Sequence, residues 1–291
     1  MIKKKLIKNA RKIDQFLIKF LKKQQSSLLV KPMKYGVISG GKKIRSTIIF
    51  DAGKIFNISE KKLINICAAV ECIHSYSLIH DDLPCMDNDT IRRGKPATHI
   101  KFGEASAVLA GNSLLTLAFE IIADKKYLLS PKAKNEIIKF LSSCSGHTGI
   151  AGGQELDLKF ENKKKGINQI IDMQKKKTGK LFNFCLYAVG VVAKKNTKDK
   201  LFLSNLGEEV GLLFQLADDF LDFKGLKKLL GKPVKKDHKK GKSTLLNLMG
   251  EKKAYLFANN LKRKILRKLE KHGKNAKELI STIEFILERK F

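Results

Sequence analysis

Apolar residues recur every three or four positions along most of the chain. In 6–21, Leu6, Ile13, Phe16, Leu17, Phe20 and Leu21 fall on one stripe, as the face of a helix requires. The same spacing predicts helices over 44–56, 60–80, 105–123, 131–143, 167–177, 181–193, 198–222, 252–271 and 276–290. Ser59 stands where an N-cap would open the third of these. The stretches 63–78 and 201–223 are apolar nearly all round, which predicts helices at the centre of a bundle. Glu71 and His74 are the polar members of the first stretch. Breaks are expected at 36–41, 87–96, 146–153, 162–166 and 225–241. No alternating strand pattern of useful length, no repeat and no linker is visible. The reading is one all-α domain over residues 1–291.

Composition supports a packed helical core. The chain has 291 residues, 43% of them hydrophobic, and only five prolines. Its formal net charge is +31, which raises the question of an anionic partner. A nucleic-acid binder, a phosphate-handling cleft and a drift toward lysine on solvated faces all fit the sign. The lysines are spread along the whole chain, so drift explains most of the excess. With no Trp and five Tyr, no aromatic platform for nucleic acid is expected.

Five cysteines, Cys67, Cys72, Cys85, Cys144 and Cys185, contain no C-x-x-C pair. Neither a zinc site nor a disulfide framework is expected, and a reducing, cytoplasmic setting fits. No apolar run approaches the roughly 18 residues of a membrane span; 181–193 is the most apolar candidate, and it is short and carries Asn183. The first 23 residues are basic throughout, which reads as a first amphipathic helix rather than a leader.

Two acidic clusters change the picture. Asp81-Asp82-Leu83-Pro84-Cys85-Met86-Asp87 ends one apolar helix, and Asp218-Asp219-Phe220-Leu221-Asp222 ends another. Asp218 and Asp222 share a helical face. Asp81 and Asp87 would not, unless Pro84 breaks the helix and returns Asp87 toward Asp81. Carboxylates gathered at the mouth of an apolar helix need a cation to coexist, and oxygen-only ligands suit Mg2+ shared with substrate phosphates.

Anion handles accompany the clusters. Gly40-Gly41-Lys42-Lys43-Ile44-Arg45 is a glycine turn opening a helix, with Lys42 and Arg45 three apart. Arg92-Arg93-Gly94-Lys95-Pro96 follows the first cluster closely. Lys177-Thr178-Gly179 interrupts a helical stretch. Gly231-Lys232 and Gly241-Lys242-Ser243-Thr244 repeat the glycine-plus-lysine theme; the latter lacks the upstream glycine and strand of a nucleotide P-loop.

These motifs resemble the trans-isoprenyl diphosphate synthases, most closely the bacterial farnesyl diphosphate synthases among them. The resemblance covers about residues 30–290. It is carried by GGKKIR at 40–45, ECIHSYSLIHDDLPCMD at 71–87, RRGKP at 92–96, GGQELDL at 152–158, KTG at 177–179, FQLADDFLD at 214–222 and GKST at 241–244. It implies an isoprenoid-synthase-type helical bundle around a central apolar cavity, usually a homodimer. It implies Mg2+ at Asp81, Asp82, Asp87 and Asp218. The allylic diphosphate would be held by Arg92, Lys177, Lys232 and Lys242. Isopentenyl diphosphate would meet Lys42, Arg45, His74 and Arg93. Lys177, Thr178 and Gln215 would be the catalytic residues, with Thr178 and Gln215 facing the allylic carbocation.

The released diphosphate would take the final proton, so His80 reads as packing beside the metal rather than as a base. Tyr76, with Ser77, would set chain length, since it precedes Asp81 by five residues, or about 7.5 Å of helix. The implied product is farnesyl diphosphate, with geranyl or geranylgeranyl diphosphate as alternatives. A terpene cyclase on the same scaffold would usually lack the GGKKIR and RR handles. Ser46, Asn112 and Leu226 depart from the residues usual at their positions, respectively proline, aspartate and aspartate. Leu226 stands next to the second cluster.

Overall fold

A computed structural model describes residues 2–24, 27–38, 40–230 and 244–288, with the backbone alone over 224–230. The described chain is almost entirely helical. In order it carries α1 (Ile2–Leu21), α2 (Val30–Val37), α3 (Ile44–Ile55), α4 (Ile64–Asp81), strands β1 (Ile91–Arg92) and β2 (Lys95–Pro96), and α5 (Thr98–Phe102). Then come α6 (Glu104–Ala123), α7 (Pro131–Ser145), α8 (Ile150–Phe160), α9 (Ile167–Gln174) and α10 (Lys180–Val192). The last are α11 (Thr197–Leu230), α12 (Leu245–Met249), α13 (Glu251–Glu270) and α14 (Lys277–Glu288). Contacts divide it into two compact units: Met1–Phe140 with Ala188–Lys195, and Leu141–Tyr187 with Asn196–Phe291.

In the first unit α4 is the central rod. It packs against α1, α2, α3 and α6, as its all-round apolar sequence predicts. Ile48, Ile49, Leu63, Ile66, Ile73, Leu114 and Ile121 are fully buried around it. The expected break at 36–41 begins too early. Gly36 lies inside α2, because the absent Cβ leaves room for Ile79; any side chain there would collide with the Ile79 Cδ1. Ser59 does not cap α4 with its side chain. A 3-10 turn, Glu60–Lys62, intervenes, and α4 starts at Ile64. Among the described residues, the helix long and apolar enough by composition to cross a membrane is α6, not 181–193. The inner face of α6, with Ala107, Ala110, Gly111, Leu114 and Leu117, is buried in this unit.

In the second unit the hydrophobic period misses two helices, α8 and the short α12. α8 begins inside the expected 146–153 break, and the residues it buries are Ile150, Gly153, Gln154 and Asp157. A helix that turns glycine, amide and carboxylate inward leaves no apolar stripe to detect. Segments 167–177 and 181–193 are joined by a π turn, Lys175–Gly179, in which the Lys180 N–H reaches back to the Lys175 carbonyl. The helix over 198–222 is longer than expected, since α11 runs on through Gly225 to Leu230.

One face of α11 decides how this unit packs. Ser204, Gly207, Gly211, Gln215 and Asp219 recur at i+3 and i+4, so they form one row. Ser204 Oγ donates to Asn183 Oδ1 at 2.7 Å. Gly207 and Gly211 let the α11 backbone meet the backbone of α10 and the π turn. A Cβ on Gly207 would collide with the Phe182 carbonyl oxygen, and one on Gly211 would lie 2.6 Å from the Gly179 Cα. Phe182 and Phe184 are fully buried there, each contributing about 1.5–3 kcal/mol through apolar burial. Gly207→Ala should therefore destabilise the protein by about 1–3 kcal/mol in urea unfolding, because the obstacle is backbone and cannot rotate away. An unchanged midpoint would contradict this packing.

Candidate active site

At the end of α4 the first acidic cluster folds back on itself. The N–H of Asp87 donates to the Asp81 carbonyl at 2.8 Å, that of Asn88 to the Leu83 carbonyl at 3.0 Å, and that of Asp89 to the Asp82 carbonyl at 3.2 Å. Pro84 lies inside the turn, which brings Asp87 back beside Asp81. Asp81 and Asp87 are half-buried at the surface. Asp82 is different: it is 2% exposed, and Arg92 Nε donates to its Oδ1 at 2.9 Å, with Nη2 on the same oxygen. Arg92 Nη2 also meets Asp89 Oδ2 at 3.2 Å. Asp82, expected as a metal ligand, anchors Arg92 in this structure. Burial lowers the Arg92 pKa, but the hydrogen bond and charge of Asp82, with Asp89 and Asp81, outweigh it and the net shift is upward. Arg92 thus remains a cation.

An anion cradle stands in the same unit. Gly40 and Gly41 take φ of 94° and 95°, and Lys43 is left-handed at 43°, so the chain turns sharply into α3. Arg93 and Gly94, both at positive φ, close the β1–β2 hairpin. That hairpin aims Arg93 at the glycine turn, where Nη1 donates to the Gly40 carbonyl at 2.8 Å. Gly41 must lack a side chain, since a Cβ would lie 2.8 Å from the Arg93 Cζ. Lys42 is exposed and Arg45 is buried. Lys43 is structural: its buried ammonium donates to the Val37 carbonyl at 3.0 Å and pairs with Asp14 at 3.2 Å.

His74 has its pKa held well below the usual value, first by burial and then by Arg45, Arg93, Lys43 and Arg92. It is a neutral imidazole among cations. Glu71, 3% exposed, accepts from Ser46 Oγ at 2.7 Å. The Ser46 departure therefore supplies a hydrogen bond that proline would lack.

Tyr76 is buried in α4, edge-on to His80 at 5.7 Å between ring centres. Burial, with the charge of Asp81, pushes its phenol up to about 12. His80 Nε2 lies 3.1 Å from the Val108 carbonyl and packs over Gly111 of α6. Ser77 Oγ donates to the His74 carbonyl at 3.0 Å, half-buried on the same helix.

The second unit holds a hydrogen-bonded chain built on the π turn. Thr178 Oγ1 donates to Gln215 Oε1 at 2.8 Å. Gln215 Nε2 donates to Asp219 Oδ1 at 3.0 Å, and Gln174 Nε2 donates to Asp219 Oδ2 at 3.2 Å. Asp219 is 8% exposed, and burial pushes its pKa up to about 7 against the pull of the two amides. Lys177 Nζ pairs with Asp157 Oδ2 of α8 at 2.6 Å. Asp218 is half-buried and Asp222 exposed, one turn apart. Lys232 and Lys242 lie outside the described residues, and Leu226 lies where side chains are not described. Thr244 of the GKST motif caps α12, accepting from the Asn247 N–H at 3.2 Å.

Asp81 and Asp87 in one unit, and Asp218 in the other, fit magnesium by donor chemistry: carboxylate oxygens reachable from solvent. Among the described residues no three His, Cys, Asp or Glu side chains form a metal site by themselves. The sequence assigns no role to Asp157 or Gln174, and Asp219 enters there only as a member of the second acidic cluster. The signal for each was a polar residue on a helix face that the fold buries, close in sequence to a residue already singled out.

The family model described as polyprenyl synthetase matches residues 26–283. The farnesyl diphosphate synthase of Escherichia coli is 38% identical over 270 residues, which is 91% of this chain and 90% of that protein. A solved FPP/GFPP synthase from Zymomonas mobilis superposes with a TM-score of 0.89 at 36% identity, covering 98% of each chain. A geranyltransferase from Helicobacter pylori, solved with magnesium and isoprenyl diphosphate, gives 0.80 at 30% identity, covering 99% of this chain and 96% of that one. With the two acidic clusters, the arginine-bearing hairpin and the π turn on one chain, and a family match over most of its length, the protein belongs to the polyprenyl synthetase family.

Proposed function

We propose that the protein is a farnesyl diphosphate synthase, joining dimethylallyl and then geranyl diphosphate to isopentenyl diphosphate. The observation that carries this reading is the Thr178–Gln215–Asp219 chain on the π turn. Two neutral dipoles are fixed there by a buried carboxylate, as a developing cation requires. The names of the similar proteins support the same chemistry.

Each residue then has a task. Asp81, Asp87 and Asp218 would hold Mg2+, which when bound neutralises the allylic diphosphate as it leaves. Arg92, kept cationic by Asp82, binds the same diphosphate, and Lys177, set by Asp157, does so from the π turn. Lys232 and Lys242 belong to this set by resemblance. Isopentenyl diphosphate docks on Lys42, Arg45, Arg93 and the neutral His74. Neutral His74 donates or accepts without adding charge, while the arginines supply it. Thr178 and Gln215 face the cation with oxygen. The departed diphosphate removes the last proton, which leaves His80 to its packing on α6.

The product tail extends back along α4 until Tyr76 stops it, about 7.5 Å from Asp81. The working form is a cytoplasmic homodimer joined through α6, whose outer face exposes Val108 and Leu109 beside a buried inner face.

Incubated with dimethylallyl and isopentenyl diphosphates and Mg2+, the purified protein should release a fifteen-carbon diphosphate, and a chelator should stop it. Absence of any prenyl product would overturn the reading. Asp219→Ala should keep the fold by circular dichroism while kcat falls about a hundredfold, because Gln215 and Gln174 lose their common acceptor. A kcat within twofold of the parent would remove Asp219 from that role. Tyr76→Ala should shift the product toward twenty carbons or more; an unchanged product profile would place the chain-length stop elsewhere.

A further inference from the structure

Gln154 is 5% exposed, and among the described residues neither its Oε1 nor its Nε2 has a hydrogen-bond partner. A buried carboxamide with both ends unmet is costly and rare, and it calls for a ligand. Its position says where that ligand sits. Gln154 and Asp157, three apart, share one face of α8, and Gly153, four before Asp157, borders it. Gly153 is pressed on the Lys177 backbone, so that a Cβ there would collide with the Lys177 N, and Asp157 holds the Lys177 ammonium at 2.6 Å. The face that carries Gln154 is therefore the face turned to the π turn. Of the six buried side-chain polar atoms without a hydrogen bond among the described residues, three belong to Gln154 and Gln174, the glutamines on either side of that turn.

Two ends of opposite polarity without a protein partner fit a ligand that carries both signs of charge. A bare anion would meet the NH2 alone, and a bare cation the oxygen alone. An allylic diphosphate breaking its C–O bond presents both, a few ångströms apart. We propose that Gln154 is a substrate-contacting residue of the allylic site, its Oε1 turned to the carbon that becomes cationic and its Nε2 to an oxygen of the departing diphosphate. This assignment rests on the allylic reading of the π turn given above. The carboxamide forms and breaks no covalent bond. It stabilises charge separation beside Thr178 and Gln215.

The test uses Gln154→Met, which keeps the volume and removes both dipoles. Thermal unfolding of the variant without substrate should occur at the same temperature as the parent or higher, since an unmet buried amide has gone. At the same time kcat should fall about ten- to a hundredfold. With Mg2+ and inorganic pyrophosphate present, affinity for an ammonium analogue of the allylic cation should drop about tenfold, while affinity for a non-ionising allylic thiodiphosphate, which keeps the diphosphate but forms no cation, should drop by about threefold or less. Equal losses for both analogues, or no loss for either, would overturn the assignment. Should Gln154→Met not fold, Gln154→Ala is read in the same way; failure of both to fold would make the residue structural and overturn it. A parent protein that releases no prenyl product sinks the synthase reading itself, whereas an active parent with a fully active variant sinks only the role of Gln154.

Discussion

Asp219 is a carboxylate placed where water scarcely reaches, and it stays because two amides bind it. Gln215 and Gln174 come from different helices and donate to its two oxygens. Thr178 is then fixed through Gln215. Break that acceptor and three side chains lose their orientation together, since each spans only one link of the chain. The geometry below it is equally constrained. Gly207 and Gly211 bring α11 against the π turn, and the next two residues of the same row are Gln215 and Asp219. Backbone approach sets the distance, and the carboxylate sets the angle.

The two acidic clusters divide labour in the same way. In each, the first aspartate reaches solvent and the second is buried: Asp81 with Asp82, Asp218 with Asp219. The buried member serves protein groups, an arginine in one case and two glutamines in the other. That pattern follows from helix geometry, since neighbours in sequence point about 100° apart and cannot both face the helix mouth. In a doubled aspartate, one carboxylate thus stays open to solvent and the other serves the residues around it.

Legibility in the sequence tracked the polarity of what each helix buries. α4 and α11 bury apolar residues on nearly every side and were plain. α8 buries Gly153, Gln154 and Asp157, so its inward face looks like a loop. The 36–41 break failed for a related reason: Gly36 was taken as punctuation, whereas it makes room for Ile79 inside α2. Arg93 shows the opposite case. Its two neighbouring glycine features, GGKKIR and RRGKP, were each visible as anion handles. Their union through the Gly40 carbonyl was not, because it depends on a hairpin only two residues deep on each side.

The charge excess can be traced to particular contacts. Many lysines lie along apolar or aromatic surface rather than against acids: Lys101 sits 4.3 Å over the Tyr35 ring and Lys271 4.1 Å over that of Phe202. Such contacts hold a cation at little cost and leave the ammonium in water. With 28 acidic residues against 59 basic ones, an acid that is buried beside a cation has not been placed there to balance the surface. Asp82 on Arg92 and Asp157 on Lys177 are two such acids, and each fixes the direction of one cation. Glu71 belongs with them by its burial and by the charge it places near Arg93, though its hydrogen bonds go to Ser46. In a chain so rich in lysine, the carboxylates carry the positional information, and the site is read more surely from where they are buried than from where the lysines cluster.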